Sequence, residues 1–487
     1  MSIRNCLLSC VFVLLSVRIG LALELQGTDP DLLMDLLVNA GELPGADWVT
    51  TSAPVGVLEQ RWVSTRELTR GAFAAGAAEA DITPPLGCPL AGYFDGRFAL
   101  ETMPDVTDDP FGYATIYSPN QGAHDRLGAQ ALVLSDGASD ICLVSADLVA
   151  IPGDVHEALA QRVSDLGIGV ENLMVFATHT HSGPGAMTIE PLWQLVTADL
   201  YVAEMRDFLV DRLEAMVRQA YDAMRPAALG FGSALTDGLT YNRRDGADWD
   251  EVVRVLRVDD AGTGQPLAAL VNFAIHGTCL GGHNMLCTGD APGAIRRCLA
   301  DHLGGEAVVL FANGIEGDVA PQRGGWSGMA ETGELLAADI MELWPQIETV
   351  EDGTLAYGTI LRALPEPYAR PGLVVEWLPL DWTLPLTGLL FPEALFQTFI
   401  IADQPLVSFP GEPITPVGRI IQQEIQDLGM AEPMIFACAD HHKSYVVTAE
   451  EYWNGGYESV GCFFGPEAGE LFTNACLDSA VAALGGD

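Results

Sequence analysis

From residue 72 onward, short apolar runs alternate with stretches of helical spacing. Residues 129–134 and 141–149 are apolar and are separated by Asp136-Gly137, a pattern that predicts a β-hairpin. Val155, Leu159, Val163 and Leu166 fall on one face of a helix over 156–166. Leu173–Ala177 is a continuous apolar run of strand length, and 200–224 is an amphipathic helix. Residues 267–275 and 307–312 read as strands, each ending in a polar, glycine-rich turn. Strands alternating with helices, with polar residues where strands stop, predict an α/β protein of mixed α and β layers. One large domain over 71–487 follows a short N-terminal extension over 25–70, in which Asp29-Pro30-Asp31 starts a helix over 32–37. Residues 373–409 are strongly apolar but carry Glu376, Asp381, Glu393, Asp403 and several prolines, so they do not read as a membrane span.

The first 24 residues follow another pattern. Arg4 precedes an apolar run from Cys6 to Val17, and small residues close it before Glu24. The run is too short to cross a bilayer, so it reads as a signal peptide, and the expected location is secreted or periplasmic. Ten cysteines occur, eight of them beyond this segment. Export would let some pair, with Cys279–Cys287 and Cys462–Cys476 as local candidates. No two cysteines have CxxC spacing, which argues against a thiolate zinc knuckle.

Charge removes a further class. The chain has 23 Lys and Arg against 66 Asp and Glu, a formal net charge of −43. Such a surface repels nucleic-acid phosphates and anionic headgroups, so nucleic acid is not an expected partner. Adaptation to a salty medium, where counterions screen self-repulsion, accounts for it better than a functional acidic patch.

The candidate chemistry clusters where the strands end. Thr178-His179-Thr180-His181-Ser182-Gly183-Pro184-Gly185 places two histidines two apart directly after Leu173–Ala177, so in extended backbone both would point the same way. Imidazole nitrogen is a good zinc donor, and the small residues beyond would let a ligand approach. His276 closes the strand over 267–275, either as a core group or as a ligand from a distant part of the chain. Asp290 is positioned to orient a ligand or a loop. Glu412 follows an apolar run and is either a helix N-terminal charge or a metal ligand. Trp377 and Trp382, with Leu389, Leu390 and Phe391, either line a lipid groove or belong to core strands.

In order along the chain these pieces resemble the neutral/alkaline ceramidase family. They are Glu79 to Pro84, His124 ahead of Ala129, Thr178 to Gly185, Asn242-Arg243, Phe273 to Thr278, Gly317 to Pro321, Pro410-Gly411-Glu412, and Tyr445 through Tyr457 with Phe464-Gly465-Pro466. The resemblance runs from about Gly71 to the C-terminus. It implies a zinc ion held by His179, His276, Glu412 and Tyr445, with His181, Arg243 and Tyr457 as catalytic groups; Arg244 adjoins Arg243, so that assignment can shift by one. The implied activity is hydrolysis of the N-acyl amide of ceramide or a similar N-acyl lipid, with peripheral membrane contact compatible with such a substrate. Trp377 and Trp382 would then contact substrate. Spacing alone would not have suggested a tyrosine ligand.

The chain departs from the family at two places. The family's active-site serine, in Gly-Asp-Val-Ser-Pro, is Ala320 here, and no immunoglobulin-like domain follows Phe464-Gly465-Pro466 before Asp487. Without the serine hydroxyl, a metal-activated water is the expected nucleophile, His181 the proton shuttle, and Arg243 or Tyr457 the oxyanion donor. Two alternatives stay open: a zinc hydrolase of another amide or ester, and a catalytically silent lipid-binding homologue. Cys279, close to His276 in sequence, is a weak candidate nucleophile.

Overall fold

The strand Gly128–Ser135 sends Ala131 and Val133 into one apolar cluster and Leu132 and Leu134 into another. A strand buried on both faces needs a layer on each side, and this requirement organises the fold. The computed structural model describes residues 60–63, 70–93, 97, 113–244, 246, 248–373 and 380–485. The expected signal segment, the helix over 32–37 and Trp377 lie outside the described residues.

Two sheets carry the main strands. In chain order these are β1 Gln60–Val63, β2 Ala74–Asp81, β3 Gly128–Ser135, β4 Asp140–Ala146, β5 Leu173–Ala177, β6 Arg225–Leu235, β7 Val252–Asp260, β8 Pro266–Phe273, β9 Val308–Asn313, β10 Leu355–Ala363, β11 Glu393–Ile401, β12 Gln404–Ser408 and β13 Met434–Phe436. One sheet has the order β9-β8-β7-β6-β2-β3-β4-β5, the other β1-β10-β11-β12-β13. The eight-stranded sheet curls until its far ends meet, and the Ser145 hydroxyl on β4 donates to the Phe311 carbonyl on β9 at 2.7 Å. The five-stranded sheet covers the concave side, with Leu355, Phe399, Ile401 and Phe436 packing against Leu134, Leu143, Phe176 and Leu310. The edge strand β1 pairs with β10, so part of the N-terminal extension joins this sheet.

Helices close the outer faces. Gly153–Val163 (α1) and Ala203–Asp222 (α2) cover β2 to β5, burying Val155, Leu159, Leu209 and Leu213. Asp290–His302 (α3) and Gly325–Leu343 (α4) cover β7 to β9 through Ile295, Leu299, Leu336 and Ile340. Thr415–Asp427 (α5) and Ala468–Ala483 (α6) cover the second sheet through Val417, Ile421, Phe472 and Cys476. Each such Leu, Ile or Phe contributes about 1.5–3 kcal/mol relative to an exposed position. Among the described residues no helix is long and apolar enough to cross a membrane.

The mixed α/β layering expected from sequence is what forms, with differences in detail. The hairpin is β3–β4, and 147–149 leave the strand. The second predicted helix starts at Ala203, not at 200. β6, β7 and β10 were not expected; β6 contains two glycines and exposed ends, which blur its strand pattern. Residues 393–408 are buried core strands. Cys279 is not bonded to Cys287, nor Cys462 to Cys476, which overturns the two suggested pairs. For the first pair the reason is packing: Cys279 sits in the cluster under α3 and α4, Cys287 in the one under α1 and α2.

Candidate metal centre

Three neighbouring strand pairs run parallel: β4–β5, β8–β9 and β12–β13. Parallel pairing puts C-terminal ends side by side, the usual location for chemistry in sheets of this kind. Here β5, β8, β9, β12 and β13 run out into a shared region, and His179, His276, Glu316, Glu412 and Cys438 follow just beyond them. Asn313, fully buried at the end of β9, fastens three of these ends. Its amide nitrogen donates to the carbonyls of Thr178 (3.1 Å) and Ile275 (2.6 Å), and its amide oxygen accepts from the Ile275 N–H at 3.0 Å.

The histidine loops then interlock. Thr180 bridges to Gly277, the His181 N–H donates to the Gly277 carbonyl at 3.0 Å, and the Gly277 N–H donates to the His179 carbonyl at 3.2 Å. A Cβ on Gly277 would stand 2.5 Å from that carbonyl oxygen, so only glycine allows this approach. His179 is not in extended backbone as expected. Its φ is 63°, a left-handed conformation rare for a side chain of this size and typical of sites where surrounding structure imposes strain.

Five side chains meet. His181 Nε2 is 3.3 Å from His179 Nε2. Glu412 Oε2 is 3.4 Å from His179 Nε2 and 3.3 Å from His276 Nε2. The Tyr445 hydroxyl is 3.3 Å from His276 Nε2. Glu412 and Tyr445 come together because Glu412–Pro413 and Tyr445–Val446 pair as short parallel strands, with the two residues in register. The outer ring nitrogens are also engaged: His179 Nδ1 contacts the Val149 carbonyl at 2.6 Å and His276 Nδ1 the Val319 carbonyl at 3.0 Å. A carbonyl only accepts, so each Nδ1 carries hydrogen and each Nε2 faces the centre.

This donor set fits a metal ion. Glu412 Oε2 is buried and has no hydrogen-bond partner. Donors about 2.0–2.1 Å from a tetrahedral ion stand roughly 3.3–3.4 Å apart, close to the separations found. The electrostatics agree. Burial opposes charge on His179, yet the carboxylates of Glu412 and Glu316 override it and hold the imidazole up to about 9. Burial likewise raises Glu412, but its contacts with His179 and His276 keep it well below the usual carboxylate range. His276 is pushed down to about 4 by burial, with Arg243 adding to the effect. Without an ion, one proton therefore sits at the centre between His179 and Glu412, where a divalent cation would take its place.

Of the remaining expected residues, Arg243 and Tyr457 join the cluster. Arg243 Nη2 donates to the Tyr445 hydroxyl at 3.0 Å and to the Gly317 carbonyl at 2.9 Å, and its guanidinium lies 5.3 Å from the Tyr457 ring centre. Tyr457 is 43 % exposed and stacks edge-on to Tyr445, so it forms the rim. Asp290 orients a loop, not a ligand: its carboxylate accepts from the N–H groups of Cys279, Leu280 and Ala291 at the start of α3. Burial drives the Cys279 thiol far above its normal range, which disables it as a nucleophile. Ala320 follows Val319, whose carbonyl holds His276, so no hydroxyl is offered at that position.

A cleft of about 600 Å³, counting its open mouth, adjoins the cluster. Leu148, Ile151, Pro184, Met187 and Trp193 make it mainly apolar. Val149 and His442 connect it to the centre, His442 Nε2 being 3.5 Å from Glu412 Oε1. Trp382, expected to contact substrate, does not line this cleft and is 40 % exposed; a tryptophan that lines it is Trp193. Sequence reasoning also missed Glu316, Cys438 and His442. Cys438 Sγ contacts Glu316 Oε1 and His179 Nδ1, both at 3.4 Å. The signal available was position, since each follows a strand end.

The sequence model of the family described as neutral/alkaline non-lysosomal ceramidase, N-terminal, matches residues 102–335, a stretch that contains His179, His181, Arg243 and His276. The chain is 28% identical over 237 residues to a neutral ceramidase of Mycobacterium tuberculosis (strain ATCC 25618 / H37Rv), covering 43% of this chain and 37% of that protein. It is 29% identical over 224 residues to neutral ceramidase 1 of Arabidopsis thaliana, covering 41% and 28%. The matched stretch thus spans about a third of these relatives' length. The crystal structure of neutral ceramidase from Pseudomonas aeruginosa superposes with a TM-score of 0.70 at 21% identity, over 86% of this chain and 75% of that one, which shows a shared fold. A structure titled as ceramidase complexed with C2 superposes equally well, at 20% identity. Motif order, matched segment and fold are thus in accord, and over residues 102–335 the chain is similar to the neutral/alkaline non-lysosomal ceramidase family.

Proposed function

We propose that this protein is a zinc-dependent hydrolase that cleaves the N-acyl amide of ceramide or a closely similar N-acyl lipid. The carrying observation is Glu412 Oε2, buried and unpaired within 3.4 Å of two imidazole nitrogens. His179, His276, Glu412 and Tyr445 would hold the ion. When bound, zinc would supply Lewis acidity for the carbonyl and lower the pKa of a water to about 7. No occupant of position 320 supplies an alternative nucleophile.

The chain's own residues supply the rest. His181 is kept neutral by burial, reinforced by His179 and His276, so it can accept a proton. Its Nδ1 has no partner, which leaves it free to pass that proton to the departing amine. Arg243 has committed Nε and Nη2 to protein groups, so Nη1 would donate to a developing oxyanion, with Tyr457 at the rim as the other candidate donor, a role whose loss costs about 10²–10³ in rate. The apolar cleft would take a hydrocarbon chain and exclude water. The catalytic domain in this reading is 71–487, and residues 1–24 direct export.

Ala320 favours one second reading, a related amide or ester as substrate. Zinc content and fatty-acid release from ceramides, N-acyl amino acids and simple esters separate the two. His179→Ala should lose zinc and turnover together. Turnover that persists in a folded, zinc-free variant would falsify the mechanism. Zinc in the wild type with no turnover on the whole panel would leave only a lipid-binding homologue.

A further inference from the structure

One buried carboxylate close to the centre has no part in the chemistry described so far. Glu458 follows Tyr457, and its side chain is 2 % exposed. Its two oxygens are divided between two arginines: Oε1 accepts from Arg243 Nε at 2.8 Å, and Oε2 from Arg244 Nη1 at 2.7 Å. Arg244 is itself anchored, through Nη2, to Glu451 Oε2 at 2.5 Å and to the Gly455 carbonyl at 2.9 Å. The helix Ala449–Asn454, the loop after it and Glu458 are thus tied to the Asn242-Arg243-Arg244 turn.

The consequence falls on Tyr445. Arg243 has several rotatable bonds and partly faces solvent, so nothing in its own chain fixes the guanidinium plane. Glu458 at Nε and the Gly317 carbonyl at Nη2 fix it between them. In that plane Nη2 also reaches the Tyr445 hydroxyl at 3.0 Å. The phenolic oxygen therefore accepts from Arg243 on one side and presents its other face to His276 Nε2 at 3.3 Å. Arginine donors held in a fixed fork suit such a task, and a point charge on a flexible stem would not.

We infer that Glu458 is a positioning residue: wedged between Arg243 and Arg244, it locks the guanidinium against the Tyr445 hydroxyl and so holds that oxygen toward the metal. The inference rests on the metal reading above and deepens it. Outer partners of metal ligands typically change metal affinity or activity about 10–100-fold when removed. Glu458→Gln keeps the shape of the side chain, but its amide nitrogen must face an arginine.

The test is zinc affinity by chelator competition, beside the melting temperature of the metal-free protein and the split between kcat and KM. Glu458→Gln should fold, melting somewhat below the metal-free wild type because a buried arginine loses its carboxylate, hold zinc about 10–100-fold more weakly, and lose kcat with KM nearly unchanged. Unchanged zinc affinity in the folded variant would overturn the inference while leaving the metal reading intact. If Glu458→Gln does not fold, Arg244→Gln loosens one half of the clamp; a weaker loss in the same direction supports the inference, and none overturns it. A wild type that takes up no zinc ends both readings.

Discussion

His179 shows how a single residue can be specified by its surroundings. Its left-handed backbone is unfavourable locally, yet it turns the ring so that one nitrogen reaches the Val149 carbonyl and the other reaches Glu412. Gly92 plays the complementary part. Its φ is +106°, and an added Cβ would lie 2.7–2.8 Å from His181. Gly92→Ala should therefore lower the melting temperature and displace His181, with turnover falling about 10²-fold, as a misplacement of about 1 Å can cause. Wild-type activity in that variant would mean that His181 does not need its present position. At this scale the sequence was readable where a residue type declares its chemistry: His179, His181, His276 and Glu412 each follow an apolar run. Glu458 was not readable, because a carboxylate gains such a role only from neighbours that lie far away in the chain.

Strand ends are the decisive elements, and their helices set how the protein responds to pH. In α1, His156 is completely buried and contacts the Leu173 carbonyl of β5 at 3.0 Å, with Asp440 3.5 Å away. Burial pushes His156 down to about 4 and raises Asp440 to about 8. The unfolded chain binds a proton at residue 156 below its ordinary 6.5, and the folded chain does not until about 4. Stability from His156 is thus present above about 6.5 and lost as pH falls toward 4, by up to about 3 kcal/mol. Asp440 acts oppositely, since its folded pKa is raised and its contribution fades as pH climbs to about 8. The readout is the difference between two melting curves: His156→Gln should lose less stability than the wild type between pH 6.5 and 4.5. Parallel profiles would reject the assignment. Apolar runs such as Leu173–Ala177 revealed these elements beforehand, but β6, with its glycines, did not.

For the whole molecule the dominating fact is a net charge of −43. Most arginines in the described residues already contact carboxylates, so the excess acid must be tolerated through screening. The Debye length shrinks from about 10 Å at 0.1 M salt to about 3 Å at 1 M. The melting temperature should rise by several degrees over that range; a flat or falling response would show that self-repulsion does not limit stability. The sequence alone determined the mixed layering, the order of the motifs and the residue types able to bind a metal, because periodicity and donor chemistry are local properties. Only tertiary structure decided which strand ends meet, that Trp193 and not Trp382 lines the cleft, that Cys279 and Cys287 do not pair with each other, and that Glu458 braces Arg243. Those outcomes depend on how two sheets curl and stack, and that is set by contacts between residues hundreds of positions apart.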